Sequence, residues 1–471
     1  MASEFLAILS TGIWQKVMLP LVFFGGAYFT VKSRGLQFFR FQEMLQTVFG
    51  SLFKKKSAPG SVTPFQALTT ALAGTVGTGS IVGSCQAVAM GGYGAVFWMV
   101  VAAFLGMIIK FFEVTLAIHF RRKNSQGDFV GGPMYYILYG MKKGRRCLAA
   151  LFAVFAVFAS FGMGNLAQAN SISSAVVGIV NSFSCLTPRG ESHLSLAVGI
   201  GVAILLGISI LGGIRRIGKV SEGVIPGMCL LFLLLALGVL FKNAALLPAT
   251  LSRIVRDAFT AKAIGGAGVG IGAKLALEWG LKRSAFSNEA GLGSSTIAHA
   301  AADTDHPVKQ GFFGIFEVFA DTVVISVITC LAILVCLPDE TVFSSTTPNA
   351  TLITAAFSTI YGKHFAAIFI GISLALFAFS TLLGWSLTGK RCVEFLLGER
   401  AGKPYQFLFI LLSVLGAVFP AESIWTLSDL FNGLMAIPNF IALFSLKNTV
   451  LDLIKDYFSQ KKNLPLPQEK V

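Results

Sequence analysis

Long apolar runs constrain this chain more than any other feature. About eleven runs of some 20 to 30 residues are separated by short polar links, and each run is long enough to cross a hydrocarbon core about 30 Å thick. Only 13% of the residues are charged, about half the share found in soluble domains. The sequence therefore excludes a soluble enzyme and predicts an all-α polytopic membrane protein. The runs lie at 14–31, 65–90, 94–119, 147–182, 194–213, 222–241, 264–300, 311–337, 364–389, 405–420 and 423–446.

Lysine and arginine cluster in alternate links and predict the orientation. The net charge of +15 would suggest a nucleic-acid partner in a soluble protein, but here the positive-inside rule explains it. The link at 242–262 carries four basic residues on the other side and weakens the pattern there. We predict an outside N-terminus, a retained first span and a cytoplasmic C-terminus. The segments expected in the cytoplasm are 32–56, 120–146, 215–219, 390–403 and 455–462.

Eleven spans divide into one extra span and two sets of five. Because five is odd, the second set starts on the opposite side of the membrane and is an inverted copy of the first. The first span of each set is interrupted by glycines, around 73–83 and 265–293. Such a pair of interrupted spans at corresponding positions indicates the midplane site of a transporter. The predicted organisation is an N-terminal span with a basic link (1–62), a first repeat (63–242), a second repeat (243–446) and a cytoplasmic tail (447–471).

An interrupted span exposes backbone groups that lipid cannot satisfy, so the interruption must be packed in protein or line a cavity. Gly77, Gly79 and Gly83, with hydroxyls at Thr78 and Ser80, favour unwinding over close helix packing. The second half of such a helix offers free N–H groups to a carboxylate, and the first half offers free carbonyls to cations. This combination suits a zwitterion accompanied by Na⁺.

Charged residues inside the spans are few. We interpret Lys110 and Glu113 as an i,i+3 pair at the membrane interface. Asp321, near the middle of its span with Glu317 one turn before it, is either a cation ligand or a hydrogen-bonded structural acid, because a free carboxylate there would be costly. A further set is interpreted as an ion-pair network that braces a gate: Lys274, Glu278, Lys282, Arg283 and Glu289.

Two further polar positions stand out. Gln168 either joins helices through its amide or orients the polar end of a substrate. Ser380 and Thr381 either bond carbonyls of their own helix or, with a free carbonyl, ligate Na⁺. Trp385 lies four residues after Thr381, on the same helix face.

Seven strings spread through most of the chain together resemble the alanine or glycine:cation symporter family, the bacterial sodium:alanine symporters. They also keep the order that they have in that family. The strings are GTVGTGSIVG (74–83), GGYGAVFWMVVAAFLGMIIKFFE (91–113), GGPMYYI (131–137), GMGNLAQANSIS (162–173), RSAFSNEAGLGSSTIAHAAA (283–302), GFFGIFEVFADT (311–322) and STLLGWS (380–386).

The resemblance implies the leucine-transporter fold: two inverted five-helix repeats preceded here by one extra span, about eleven transmembrane helices in all. It also implies Na⁺- or H⁺-coupled import of alanine or glycine, sometimes in the D-form. The substrate carboxylate would lie on the backbone from Gly77 to Ser80, and Trp385 with Phe286 would limit the side-chain pocket. The substrate-binding residues so implied are Thr75, Gly77, Thr78, Gly79, Ser80, Gln168, Phe286, Ser287, Asn288 and Trp385, with the stretch 286–288 unwound.

By analogy with the wider fold, a Na⁺ site would use the carbonyls of Ala73, Val76 and Phe377 with the hydroxyls of Ser380 and Thr381. Asp321 is a further candidate cation ligand. The family string usually reads GTGN where this chain has Ser80 in the last position, which removes an amide suited to a second Na⁺. Neither this change nor Tyr93, where proline is common, disturbs Ser380 and Thr381.

The sequence thus predicts a Na⁺-coupled importer of small neutral amino acids in a bacterial cell (inner) membrane, with Na⁺ as the coupling ion and no nucleic-acid partner. The main alternative is an H⁺-coupled carrier that uses Asp321 or Glu289. A channel is disfavoured because no continuous polar stripe runs through several spans. An enzyme is disfavoured because no HExxH or GxSxG motif occurs and the five histidines, including His299, lie near span ends or in links.

Overall fold

The computed structural model describes residues 2–51, 62–260, 272–343, 350–419 and 421–462, which are almost entirely helical. The first helices are α1 (Ala2–Ile13), α2 (Leu19–Lys32), α3 (Leu36–Phe39), α4 (Phe41–Ser51), α5 (Pro64–Thr75), α6 (Thr78–His119), α7 (Pro133–Gly140), α8 (Arg145–Phe161), α9 (Ala167–Asn181), α10 (Pro188–Ile210), α11 (Gly213–Lys242) and α12 (Leu247–Asp257). They are followed by α13 (Ala273–Asn288), α14 (Thr296–His299), α15 (Pro307–Val318), α16 (Val327–Cys336), α17 (Asp339–Phe343), α18 (Thr351–Tyr361), α19 (Lys363–Leu397), α20 (Gly402–Val418) and α21 (Ala421–Lys462).

Short elements join some of these helices. Strands β1 (Arg122–Lys123) and β2 (Phe129–Val130) form an antiparallel hairpin between α6 and α7, with Arg122 opposite Val130. The π-helical segments lie at Trp14–Met18, Gly162–Leu166 and Phe319–Ser326, and the 3₁₀ turns at Ala244–Leu246 and Glu399–Ala401. Because π-helical segments are rare and frequently found at functional sites, those next to Gln168 and around Asp321 bear on the site.

The eleven predicted spans correspond to these helices. Nine helical stretches of the described residues are long and apolar enough to cross a membrane. One of them, α6, holds two predicted spans, which meet at Gly92 (φ 69°, ψ −166°), a conformation that glycine adopts readily. The link between the predicted runs 65–90 and 94–119 is therefore a sharp kink rather than a loop. The remaining predicted span is the broken pair α13 and α14, which are individually shorter than a membrane is thick.

The first broken span follows from its local sequence. Thr63 and Gln66 form a capping box at the start of α5, with Pro64 in the first turn. The helix stops at Thr75, and Val76 and Gly77 are extended before α6 begins. The predicted interruption around 73–83 is thus confirmed and confined to two residues.

The second broken span differs in detail from the expectation. The glycines at 265–268 lie outside the described residues. The stretch 286–288 is not unwound, because α13 continues to Asn288. The break follows, with left-handed backbone at Glu289 (φ 54°), Gly291 (φ 90°) and Gly293 (φ 76°), before α14 begins.

The core is built around α6, which packs against α13 and α15. A Cβ atom at Gly280 would lie 2.5 Å from the carbonyl oxygen of Ala95, so α13 and α6 approach as closely as only glycine permits. This close packing brings the start of α6 against the end of α13, and so places the two breaks side by side.

Candidate functional site

The first break presents backbone amides at the start of α6. Gly77 is the N-cap residue and has no side-chain cap, so the first amides of the helix lack intrahelical partners. The amide of Ser80 turns back to the carbonyl of Gly77 at 3.2 Å, which leaves the Thr78 and Gly79 amides at the buried helix end. Such an end is a ready site for a carboxylate.

The second break presents carbonyls at the end of α13. The last carbonyls of a helix have no intrahelical partner, and those of α13 include the carbonyls of Ser287 and Asn288. These two carbonyls therefore lie at the break, although the expected unwinding at 286–288 is wrong. The ring of Phe286 packs against Gly79, because a Cβ atom built on Gly79 would lie 3.5 Å from it. The same ring also packs against Trp14, and the two ring centroids are 6.3 Å apart.

Asp321 lies between the two breaks and is fully buried. One carboxylate oxygen accepts from the Ser80 hydroxyl at 2.5 Å, and the other accepts from Ser287 at 2.7 Å and from Thr322 at 2.9 Å. The hydroxyls of Ser80 and Ser287 are 3.1 Å apart. Five oxygens from three chain segments thus converge, which is chemically compatible with both alternatives, a hydrogen-bonded structural acid and a cation ligand.

The hydroxyls predicted to bind Na⁺ face the first break. A Cβ atom at Gly77 would collide with Thr381 Oγ1, and a Cβ atom at Gly384 would lie 3.3 Å from the carbonyl carbon of Ala73. The backbone around Ala73 and Gly77 and the hydroxyl helix α19 are therefore in contact. Ser380 and Thr381 both donate to the carbonyl of Phe377, at 2.8 and 3.0 Å. Ser380 and Thr381 thus bond a carbonyl of their own helix, which was one of the two alternatives. These bonds also bring the two hydroxyl oxygens and the Phe377 carbonyl oxygen close together.

Gln168 reaches the first break from α9. Its Oε1 accepts from the Thr78 hydroxyl at 3.1 Å, and its Nε2 donates to the carbonyl of Met163 at 3.1 Å within the π-helical segment. The Gln168 amide therefore joins α9 to α6, in agreement with the interpretation that this side chain connects helices. Thr75, by contrast, turns its hydroxyl to the carbonyl of Ala71 at 3.3 Å.

Trp385 belongs to α19, and its side chain is buried against the π-helical segment Gly162–Leu166 and the second break. Its indole nitrogen donates to Glu289 Oε1 at 2.9 Å. A Cβ atom at Gly164 would lie 2.6 Å from Trp385 Cγ, so the glycine gives the indole its space. Sequence reasoning missed the contact between Trp385 and Glu289, because no spacing rule connects residues 96 positions apart.

A cavity of about 730 Å³ is lined mainly by α9, α18 and the first half of α19. Its lining includes Val82, Ser171 and Leu374, and each of these three residues is within about one helical turn of a candidate site residue. The cavity therefore lies close to the site.

The interfacial interpretation of Lys110 and Glu113 is wrong. Both are fully buried, with Lys110 Nζ 3.9 Å from Glu113 Oε2 and 3.8 Å from Glu317 Oε1. The ammonium also donates to the carbonyl of Glu289 at 3.1 Å and to the Ser295 hydroxyl at 2.8 Å. Tertiary packing, rather than depth in the membrane, explains this pair, which holds the second break in place.

The predicted gate network is not one unit. Lys274 and Glu278 are 4.0 Å apart on an exposed face, whereas Lys282 pairs with Asp429 at 3.0 Å. Arg283 is buried and lies over the ring of Phe286, 5.6 Å from its centroid. Glu289, just after the end of α13, instead accepts hydrogen bonds from Lys110 and Trp385.

Comparison with known proteins decides the family. A family model described as the sodium:alanine symporter family matches residues 1–470. The chain belongs to the sodium:alanine symporter family. It is 37% identical over 454 residues to the transporter YflA of Bacillus subtilis, which covers 96% of this chain and 93% of that protein. It is 35% identical over 453 residues to the sodium/alanine symporter AgcS of Methanococcus maripaludis, which covers 96% of each.

A solved structure supports the fold of this family member independently. The crystal structure of MhsT in complex with L-phenylalanine matches it with a TM-score of 0.58 at 14% identity, over 81% of this chain and 89% of that one. The expected leucine-transporter fold is confirmed. Membership of the sodium:alanine symporter family makes the chain a cation-coupled amino-acid symporter and a multi-pass membrane protein.

Proposed function

We propose that this protein imports small neutral amino acids, alanine in the L- or D-form or glycine, together with Na⁺. The observation that carries the proposal is the meeting of three groups at one level: the amide end of α6, the carbonyl end of α13, and the hydroxyls of Ser380 and Thr381 opposite Gly77. Together they supply partners for a carboxylate, an ammonium group and a cation. The membrane would be that of a bacterial cell, with the N-terminus outside, the C-terminus inside and repeat boundaries at residues 62, 242 and 446.

The amino acid would lie between the two breaks. Its carboxylate binds the amides of Thr78 and Gly79, where the helix end favours negative charge. Its ammonium group binds carbonyls at Thr75 and at 286–288, and Gln168 fixes the Thr78 side of the site. Trp385 bounds the side-chain pocket, so only hydrogen or a methyl group fits without displacing the indole.

Na⁺ would bind beside the substrate through oxygen ligands, which hard cations prefer. The ligands are the carbonyls of Ala73, Val76 and Phe377 and the hydroxyls of Ser380 and Thr381. Because this set joins α5 to α19, Na⁺ stabilises the same packing that forms the substrate site. Each ligand therefore raises the affinity for the other, which couples their fluxes when the protein rocks between its two open states.

A second coupled cation is the candidate alternative. Asp321 with Ser80 and Ser287 gathers oxygens that suit Na⁺ or a proton, and the buried carboxylate supports this assignment. In the H⁺-coupled version of the proposal, Asp321 or Glu289 carries the proton and Na⁺ is dispensable.

The test is uptake of radiolabelled L-alanine, D-alanine and glycine into proteoliposomes, with Na⁺ replaced by choline in parallel. We expect uptake of at least one substrate that collapses in choline. Uptake that persists in choline and follows the pH gradient would move the coupling to Asp321 or Glu289. Absence of uptake for all three amino acids would contradict the proposed substrates.

Trp385→Ala tests the pocket boundary. Removing the indole leaves space beside Gly164, so leucine and serine should compete with labelled alanine more strongly than in the parent protein. Trp98→Ala is the matched control, because the Trp98 indole also donates to a buried carbonyl, that of Ala258 at 3.1 Å, but far from the breaks. A competition profile that is the same in Trp385→Ala and the parent would remove Trp385 from the pocket.

A further inference from the structure

A buried charge cluster lies beside the second break. Lys110 is surrounded by Glu113, Glu317 and Glu289, and all four residues are at most 1% exposed. Two carboxylate oxygens, Glu113 Oε2 and Glu317 Oε1, face the ammonium at 3.9 and 3.8 Å and have no hydrogen-bond partner among the described residues. None of the four residues is among the groups proposed to bind the amino acid and Na⁺, although Glu289 accepts from the indole of Trp385.

Charge counting shows that the cluster is short of positive charge. With three ionised carboxyl groups and one ammonium its net charge is −2, and Asp321 one turn along would add to the deficit. Burying such an excess of charge is costly unless protons or cations compensate it.

The neighbouring helices α5, α15 and α19 do not supply the missing charge. α5 contains no charged residue, and on α15 the only other one is Lys309, which pairs with Asp305 at the surface. On α19, Lys390 and Arg391 pair with Glu394. Other basic groups nearby are also engaged elsewhere: Lys282 of α13 pairs with Asp429, Arg283 of α13 lies over Phe286, and His306 is 3.4 Å from Asp456. Arg121, in the link after α6, donates to the carbonyls of Ala300 and Ala302.

His299 is the group placed to supply it. The imidazole is fully buried on α14, with Nε2 3.0 Å from Glu317 Oε2 and Nδ1 2.9 Å from Gln310 Nε2. With the amide in this orientation Gln310 donates to Nδ1, so the ring is neutral and its hydrogen lies on Nε2.

Gln310 offers a second arrangement. Its Oε1 is buried without a partner among the described residues. A half-turn of the amide exchanges Oε1 for Nε2, so that a protonated Nδ1 donates to Oε1 while Nε2 continues to donate to Glu317. Both ring hydrogens are then satisfied, and the orphaned oxygen gains a donor.

We propose that His299 is a proton-binding site, in which Gln310 turns to accept the Nδ1 hydrogen and Glu317 pairs with the imidazolium. Lowering the pH favours the imidazolium, because histidine can gain a proton without leaving the physiological pH range. The imidazolium adds an ion pair between α14 and α15 and holds these two helices together. The proton therefore slows a transport cycle in which α14 moves relative to α15, and uptake falls at acidic pH.

The test rests on the proposed transport function for its readout. Initial rates of Na⁺-driven alanine uptake are measured in proteoliposomes between pH 5.5 and 8, with equal pH on both sides, after each rate is divided by the amount of reconstituted protein. We expect the parent rate to rise from acidic to alkaline pH and the His299→Gln rate to be nearly flat. His193→Gln, at an exposed histidine outside the cluster, is the matched control and should keep the parent profile.

A second variant keeps the proposal testable if His299→Gln transports poorly. Gln310→Glu places a permanent acceptor beside Nδ1 and adds negative charge, so the midpoint should move toward alkaline pH by about one unit, the size typical of a nearby opposite charge. A parent-like profile in His299→Gln, or an unmoved midpoint in Gln310→Glu, would overturn the proton site. A parent protein that takes up no amino acid at any pH contradicts the proposed function instead.

Discussion

Replacing Ser380 and Thr381 together by alanine should abolish the stimulation of uptake by Na⁺. The two hydroxyl oxygens meet the carbonyl of Phe377, and that of Thr381 faces Gly77, so the double variant removes two of the five proposed ligands and leaves the backbone ligands alone. Since an interaction with a charged group contributes about 1.5–3 kcal/mol and 1.4 kcal/mol is a factor of ten, we expect apparent Na⁺ affinity to fall by about a hundredfold or more. The measurement is the alanine uptake rate as a function of Na⁺ concentration.

Ser386→Ala is the control for this variant. Ser386 is also buried on α19, and its hydroxyl also donates within the helix, to the carbonyl of Leu383 at 2.7 Å, but it lies beyond Trp385. It should keep the parent Na⁺ dependence. An unchanged Na⁺ dependence in well-expressed Ser380→Ala/Thr381→Ala protein would exclude these hydroxyls as ligands.

Lys110→Met should be the most destabilising single substitution in the charge cluster. Methionine fills much of the volume of lysine but leaves Glu113, Glu317 and Glu289 without their shared ammonium. Removing one partner of a buried ion pair costs about 3–5 kcal/mol, because the remaining charge is uncompensated. We expect a large loss of folded protein, measured as the thermal unfolding midpoint and the monodisperse fraction in detergent.

Two further variants test whether the loss of stability in Lys110→Met comes from uncompensated carboxylates. Lys274→Met removes an ammonium whose side chain is 87% exposed and 4.0 Å from Glu278, so its effect should be small. Lys110→Met combined with Glu113→Gln should recover part of the loss, since one unpaired carboxylate is neutralised while the amide still accepts from Asn439. Equal stability of Lys110→Met and Lys274→Met would contradict the central role of Lys110.

The sequence was sufficient for features that depend on local composition. The apolar runs predicted the spans, and the glycine and hydroxyl residues at 74–80 predicted the first break, because short-range backbone preferences decide where a helix stops. The second break was displaced by a few residues: it begins at Glu289, where a non-glycine residue takes a left-handed conformation that no propensity favours. Lys110, whose ammonium bonds the Glu289 carbonyl, holds that conformation from another helix.

Features that depend on tertiary contacts were out of reach. Lys110 and Glu113 have the spacing of a surface pair, and only the packing of α15 and α21 shows that they are buried; Asn439 of α21 donates to Glu113 at 2.5 Å. His299 lies near the end of its span in sequence, yet it is enclosed by Gln310 and Glu317. The available signal in the sequence was a charged residue inside an apolar span. This signal does not identify the residues on other helices that contact it.

The most direct test of the central claim is accumulation against a gradient. Proteoliposomes are loaded with alanine at the same concentration as outside, and Na⁺ is then raised on the outside only, with the membrane potential and pH clamped. Coupled symport predicts that internal labelled alanine rises above the external concentration and returns when a Na⁺ ionophore is added. Internal alanine that stays equal to the external concentration, in protein that exchanges labelled alanine normally, would contradict coupling to Na⁺.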